Sequence, residues 1–344
     1  MTDVPRSEPP VGEVIEQAMA FQPAKLVLTA LDVGLFPLLA TGPATEQEIR
    51  ERLGLHHRAT ADFLHALAGL GLLEPEDGRF RLGPAACGAL GRGGDNDLGG
   101  FLGMADRVMY PAWGRLADLL RTGRPQAGTF RGDDMFTELY NSPAERDSLV
   151  TMAEDASRPL IPALARSFAW SQHQSVLELG GCRGNVLAGL VRAHPHLRAT
   201  VFDLPALRSA FDEHMVTLGM AGTVGFHAGD FFTDPLPEAD VLMIGHSLVD
   251  WDGEQRRELI ARTYPAVRPG GAFLVWDPMI VPEEHSYLRN LIRSLNFRLM
   301  TPHGGGYRVE DCEQWMRAAG YTDVSTRSLG HDVTLVVARR AARQ

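Results

Sequence analysis

The residues best placed to do chemistry sit in three stations in the second half of the chain. The first, Glu178-Leu179-Gly180-Gly181-Cys182-Arg183-Gly184, closes the apolar run that starts at Val176. Glycines there let the chain turn tightly and let backbone approach a ligand closely. The second is Asp203, which ends the apolar run Ala199-Thr200-Val201-Phe202, with Leu204 beside it. A carboxylate roughly twenty residues past such a turn accepts hydrogen bonds from ribose hydroxyls. The third is Gly229-Asp230-Phe231-Phe232, where Asp230 suits an adenine amino group and Phe231 offers a ring face to the base. Three stations in this order point to an adenosine-bearing cofactor. A dinucleotide fits less well. Its fingerprint is Gly-x-Gly-x-x-Gly, whereas this turn reads Gly180-Gly181-x-x-Gly184.

The stations need strands to carry them. Val176–Leu179, Ala199–Asp203, Val241–Ile244 and Ala272–Trp276 read as strands. Helical stretches at Val186–Ala193, Leu207–Leu218 and Glu254–Val267 separate them. This alternation predicts a parallel sheet with helical crossovers, a Rossmann-like α/β domain. A helix at Val309–Ala319 and a late strand at Thr334–Ala338 follow. Before residue 170 the pattern is helical. A capping box at Thr45 and Glu48 opens one helix, and another runs from His57 through Phe63, Leu64, Leu67 and Leu70 to Gly71. Glu76-Asp77-Gly78 between short apolar runs is a hairpin signal, so this part reads as a winged helix. A glycine-rich loop, Gly91–Gly100, precedes further helices at Phe101–Leu120 and Met135–Ala169. The expected division is a disordered leader over 1–13, a helical domain over 14–170, and the cofactor-binding α/β domain over 171–344.

Composition narrows the function. The chain has 344 residues, ample for two domains, and a net charge of −10 without a long basic run. Nucleic acid is therefore not an expected partner, and the helix near Thr60–Leu70 carries almost no positive charge. No apolar stretch is long enough to span a membrane. Three widely spaced cysteines, Cys87, Cys182 and Cys312, suggest neither a disulfide framework nor a thiolate zinc site, which suits the cytoplasm.

The stations, together with Leu248-Val249-Asp250-Trp251 and Arg268-Pro269-Gly270-Gly271, resemble the caffeate/acetylserotonin-type O-methyltransferases, a family that includes bacterial antibiotic-tailoring enzymes. The resemblance covers nearly the whole chain and implies a class I methyltransferase domain behind a winged-helix dimerisation domain. It implies S-adenosylmethionine (SAM) held near Glu178, Gly180, Gly181, Gly184, Asp203, Leu204, Gly229, Asp230 and Phe231, and near Gly245 and His246. It also implies a homodimer whose N-terminal helices complete the partner's pocket. Two residues depart from the family pattern: Glu178 stands for Asp, and Cys182 for a third glycine.

A third departure bears on chemistry. The family's general base is a His in a Leu-His-Asp-Trp segment, and Val249 stands there. His246, Asp250 and His303 are the candidates to replace it. Alternatively the acceptor arrives ionised, the methyl goes to carbon or nitrogen (a keto acid or activated ring, with or without a metal), or the protein no longer transfers methyl. Asp250 has a plainer reading as a helix cap near Asp252, and Trp251 as packing. No close ligand spacing supports a metal. A largely apolar, aromatic or polyketide-like acceptor is expected against Met104, Tyr110, Trp113, Tyr140, Met152, Asn296, Phe297, Met300 and His303. A DNA-binding regulator is the remote alternative.

Overall fold

The structure is a computed structural model, which describes residues 11–90, 98–128, 136, 139–140, 142–282 and 284–342. The leader over Met1–Pro10, most of the expected glycine-rich loop and Met135 lie outside the described residues. Val11–Glu13, expected in the leader, belong to a helix. The chain divides into two compact units at Arg107/Val108.

In the first unit, helices α1 (Val11–Met19), α2 (Phe21–Asp32), α3 (Leu35–Ala40), α4 (Glu46–Leu53) and α5 (His57–Gly69) precede a hairpin. The hairpin strands β2 (Leu73–Glu76) and β3 (Arg79–Leu82) add the short β1 (Ala44–Thr45) to make a small sheet, the wing of a winged helix. The expected capping box is present: Thr45 Oγ1 accepts from Glu48 N at 3.2 Å, and Glu48 accepts from Thr45 N at 2.7 Å. Asp77 and Gly78 both have positive φ, which a tight hairpin requires. Leu35, Phe36, Ile49, Leu64, Leu67 and Leu73 form the core of this unit. Helices α6 (Pro84–Leu90) and α7 (Gly99–Met104) complete it.

The second unit opens with broken helices. The expected continuous helix from 101 to 120 is interrupted by a π-turn segment, Ala105–Met109, and again after Trp113 at Gly114. It resumes as α8 (Tyr110–Trp113) and α9 (Leu116–Thr122). Next come α10 (Pro143–Ser157) and α11 (Ile161–Arg166).

The sheet then forms in the order β6-β5-β4-β7-β8-β10-β9. Its strands are β4 (Ser175–Leu179), β5 (Arg198–Asp203), β6 (Val224–Ala228), β7 (Ala239–Gly245), β8 (Val267–Asp277), β9 (Thr322–Gly330) and β10 (Val333–Arg339). The first five are parallel, as the alternation predicts. The late strand β10 instead runs antiparallel between β8 and β9. The reason is local: Gly330 pairs with Val333 around His331 and Asp332, both at positive φ, and a two-residue hairpin can only join antiparallel strands.

Strand side chains sort by alternation onto two faces. Val176, Val241, Met243 and Leu274 join Leu187, Leu190 and Phe211 from α12 (Asn185–Ala193) and α13 (Arg208–Thr217). Leu177, Leu242, Ile244 and Phe273 join Leu259, Ile260 and Met316 from α14 (Gly253–Ala266) and α16 (Val309–Ala318). Helix α15 (Tyr287–Met300) lies between β8 and α16 in the chain. Strand order reverses between β4 and β7, and a crevice at the carboxyl ends of strands on either side of such a reversal is where open α/β sheets bind ligands.

Candidate active site

All three cofactor stations come to those carboxyl ends. The turn after β4 is held by Gly180 N donating to Phe202 O at 2.9 Å, and by Gly184 N donating to Gly181 O at 2.8 Å. Gly180 and Gly184 have φ of 68° and 79°. A Cβ on Gly184 would fall 2.8 Å from the Phe211 ring, so both backbone and space require glycine there. Cys182 also sits in the left-handed region, at φ 49°. This explains why a glycine suits that position in the resembling family. The cysteine costs about 1–2 kcal/mol of backbone strain.

Asp203 binds the turn from below. Its Oδ2 accepts from Cys182 N at 2.9 Å and its Oδ1 from Leu204 N at 2.7 Å. Burial raises its pKa to about 6, against the pull of these two donors. Glu178 is also buried, and desolvation plus the nearby Asp203 raise it to about 8. Its Oε2 has no partner among the described residues. At the third station Asp230 Oδ1 accepts from Phe232 N at 2.8 Å, which shapes the loop that presents Phe231. Phe231 lies edge-on to Trp251, with centroids 5.9 Å apart, and Trp251 also meets Phe232 and Phe136. Trp251 thus packs among the rings of Phe136, Phe231 and Phe232.

Gly245 and His246 end β7. The His246 ring lies edge-on to Trp276 at 4.8 Å, and burial lowers its pKa to about 4, so it is neutral at pH 7. Its Nε2 is buried without a partner among the described residues. Ser247, which sequence reasoning missed, comes 3.4 Å from where a Gly180 Cβ would stand. Partnerless polar atoms on Glu178 and His246 around a glycine turn fit an adenosine cofactor carrying hydroxyl and ammonium groups.

A second missed element anchors the turn. Arg183 makes a two-pronged ion pair with Glu154 of α10, and His214 Nε2 lies 3.0 Å from Glu154 Oε1. Burial alone would raise Glu154, but the His214 and Arg183 contacts outweigh it and leave its pKa lowered. A charged side chain inside a glycine turn was the available signal for such a partner.

The segment Leu248–Asp250 is a 3-10 turn, and Val249 is fully buried. Beneath it lies a network that sequence reasoning did not find. Tyr307 donates to Asp277 Oδ2 at 2.6 Å, and Arg256 donates to Leu248 O at 2.7 Å and to Gly305 O. Burial raises Asp277 to about 7 and pushes Asp250 well above the usual carboxylate range, with Asp277 adding to the latter. The cap of α14 is Asp252, not Asp250: its Oδ1 accepts from Glu254 N and Gln255 N. His303 Nδ1 is 3.8 Å from the same carboxylate. The His303 loop rests on the Val249 turn through Gly305 N donating to Val249 O at 2.8 Å. A Cβ on Gly304, Gly305 or Gly306 would fall within 3.0 Å of Thr301, Arg298 or Ser294, so the three glycines let this loop pack. Among the described residues no cluster of three or more His, Cys, Asp or Glu is arranged to hold a metal.

On the acceptor side, Tyr140, Met300 and Trp113 share one apolar cluster with Cys182 and Leu204 of the cofactor stations. The Tyr140 hydroxyl pairs with the Cys182 thiol, and burial pushes both groups well up. Trp113 Nε1 donates to Asn296 Oδ1 at 3.0 Å. Tyr110 and Met152 are half-buried, and Phe297 packs with the cluster behind Val249. Met104 is buried in the first unit.

The profile of the O-methyltransferase domain family matches residues 113–322. The chain belongs to this O-methyltransferase family. It is 40% identical over 330 residues, 96% of each chain, to the tetracenomycin polyketide synthesis 8-O-methyl transferase TcmO of Streptomyces glaucescens. It is 36% identical over 309 residues, 90% of each chain, to the N,N-dimethyltransferase OxyT of Streptomyces rimosus. Human N-acetylserotonin methyltransferase in complex with SAM superimposes with a TM-score of 0.89 at 25% identity, covering 99% of this chain and 100% of that one. The methyltransferase is SAM-dependent, and its catalytic domain has the class I fold. No helix among the described residues is long and apolar enough to cross a membrane.

Proposed function

We propose that the methyltransferase transfers methyl from SAM to a phenolic oxygen on an aromatic, polyketide-derived acceptor. The observation that carries this is the end-to-end 40% identity with TcmO, whose name states 8-O-methyl transfer in polyketide synthesis. The apolar and aromatic cluster of Trp113, Tyr140 and Met300 beside Cys182 supports it. Glu178, Asp203, Asp230, Phe231 and His246 hold the cofactor, the glycine turn and Ser247 shape its cradle, and Met152, Asn296, Phe297 and Met300 face the acceptor. SAM supplies an electrophilic methyl on a sulfonium, and the protein's task is to align the acceptor oxygen with it.

Val249 takes no proton. Burial pushes the Asp250 carboxyl well above the usual carboxylate range, and a histidine with a pKa near 4 is a weak base. We therefore favour catalysis by positioning, with His303 beside Asp252 as the remaining candidate base. OxyT's name supports a second reading, methylation of an amine on a similar ring. Incubation with methyl-labelled SAM and paired hydroxy- and amino-substituted naphthoates and anthraquinones separates them. Label in an aryl methyl ether is expected. Label only in the amines would replace this reading with the second.

We also propose a homodimer. Helix α1 buries no residue, and Val11, Val14 and Ile15 expose an apolar stripe at helical spacing, followed by an exposed Phe21. Light scattering at micromolar concentration should give twice the chain mass of 37.6 kDa, and a monomer mass would refute it.

A further inference from the structure

The pair formed by Trp113 and Asn296 carries chemical information beyond packing. An indole N–H only donates. The Asn296 atom facing Trp113 Nε1 at 3.0 Å must therefore be the amide oxygen, and the orientation of this amide is dictated by its partner. Asn296 Nδ2 is then the outward atom, and it has no partner among the described residues. Asn296 lies on α15 one turn before Met300, on the same helix face, and Met300 packs in the cluster that holds Tyr140 and Cys182. The Trp113 N–H is spent on Asn296 Oδ1, so the pair leaves the Asn296 amide N–H to offer and no acceptor beside it.

We infer that Trp113 is a positioning and specificity-determining residue: it fixes the polarity of Asn296 so that the site binds the acceptor oxygen through the amide N–H and selects its ionised form. Hydrogen bonds to a charged partner are roughly twice as strong as neutral ones, so an amide N–H with no acceptor beside it favours a phenolate over a phenol. The sulfonium of the cofactor favours the same charge state. On binding, the phenol proton leaves to solvent. The phenolate oxygen then forms a bond to the methyl carbon as the carbon–sulfur bond breaks, and the electron pair of that bond stays on sulfur. No side-chain base is needed, which accounts for a buried valine at position 249. Tyr140, Cys182 and His246 are poor proton acceptors at neutral pH. Tyr140 and Cys182 are pushed up by burial, Asp250 is pushed up as well, and His246 is pushed down. Arg293 and Arg298 share α15 with Asn296, and Arg293 is committed to Asp332 and to Asn290. The inference rests on the phenol reading above.

The test is the pH dependence of kcat, which reports ionisation in the bound complex. Probes are a hydroxynaphthoate and a dihydroxyanthraquinone. Trp113→Phe keeps the ring and removes the donor. Its alkaline-rising limb should move up by about one pH unit, so turnover below the limb falls about tenfold while the high-pH plateau is retained. Absorbance titration of the same probes on protein loaded with S-adenosylhomocysteine should show the same upward move in phenol ionisation. Asn296→Asp, which still accepts from Trp113 but offers an oxygen to the acceptor, should bind the phenolate at least about tenfold more weakly. Its affinity for S-adenosylhomocysteine by calorimetry should be unchanged, which shows that the fold is intact. A pH limb shared by wild type and Trp113→Phe, whether or not kcat drops uniformly, overturns the inference and leaves the phenol reading standing. Failure of the wild type to methylate any phenol while it binds SAM overturns the phenol reading itself.

Discussion

Replacing Asp203 by asparagine is expected to weaken SAM binding about one-hundredfold, or nearly 3 kcal/mol. Both Asp203 oxygens are committed to backbone N–H groups of the turn, Cys182 N and Leu204 N. An amide accepts with only one of its two terminal atoms, so one N–H of the turn would face another donor. The turn would lose its anchor at the point where a ribose should sit. Titration calorimetry checks this, and an unchanged affinity would place the ribose elsewhere. The same carboxylate gives the binding a pH signature. In the free enzyme its pKa is raised from 3.8 to about 6, and that of Glu178 from 4.5 to about 8. A raised carboxyl means that the folded protein holds these protons more tightly than the unfolded chain. Their contribution therefore favours the free fold at low pH and is lost as pH rises from about 4 to 8. Donors on the cofactor favour the ionised carboxylates, so affinity should rise with pH through 6. In Asp203→Asn the lower part of that rise should vanish.

How much of this was legible follows from what each element buries. Strands β4, β5, β7 and β8 lie inside the sheet and are apolar on both faces, so they stand out as runs. Strand β6, Val-Gly-Phe-His-Ala, buries only Val224, and β9 buries only Leu329, with Val324 half-buried. Edge strands with so little buried surface have no apolar pattern to read. The glycine turn after β4 and Asp203 at the end of β5 were legible because glycine and aspartate at strand ends stand out against apolar runs. The Glu154–Arg183 pair and the network of Arg256, Asp277 and Tyr307 join residues 29 to 49 positions apart through space, and periodicity is blind to such contacts. The cap falls two residues later than expected: Asp250 and Asp252 are both acidic residues ahead of a helix, and the Asp252 carboxylate (φ −79°, ψ 177°) is the one that accepts from the first free N–H groups.

Position 249 shows how a chemical difference enters without disturbing the scaffold. Val249 is held in core packing by Leu248, Tyr307 and Phe297, and its carbonyl accepts from Gly305 N. The network below it orients the turn through backbone atoms: His246 N donates to Trp276 O, and Leu248 O accepts from Arg256. Side-chain identity at 249 is thus separable from the geometry of the turn. On the proposed phenolate chemistry, no base is required at this position, and the turn keeps its geometry without one.

Gly245→Ala should be the most damaging single methyl group in the catalytic domain. A Cβ at 245 would lie 1.8 Å from Trp276 Cε2 and 2.1 Å from Cζ2. Trp276 is only 2% exposed and belongs to the core on one sheet face, so its indole has nowhere to retreat. Overpacking a core costs about 1–3 kcal/mol, and a clash with a rigid, two-ring side chain belongs at the top of that range. The effect reaches the cofactor because β7 hands directly to His246 and Ser247, and Ser247 sits against Gly180. Thermal unfolding should show a lower midpoint, and calorimetry should show SAM affinity reduced well beyond what partial unfolding explains. Gly245 was expected to serve the cofactor directly, and the double variant Gly245→Ala/Trp276→Leu distinguishes the two roles. If packing against Trp276 is the reason for glycine, the second substitution restores both stability and binding in large part. If the double variant regains stability yet still fails to bind SAM, the missing side chain at 245 is needed for the cofactor itself.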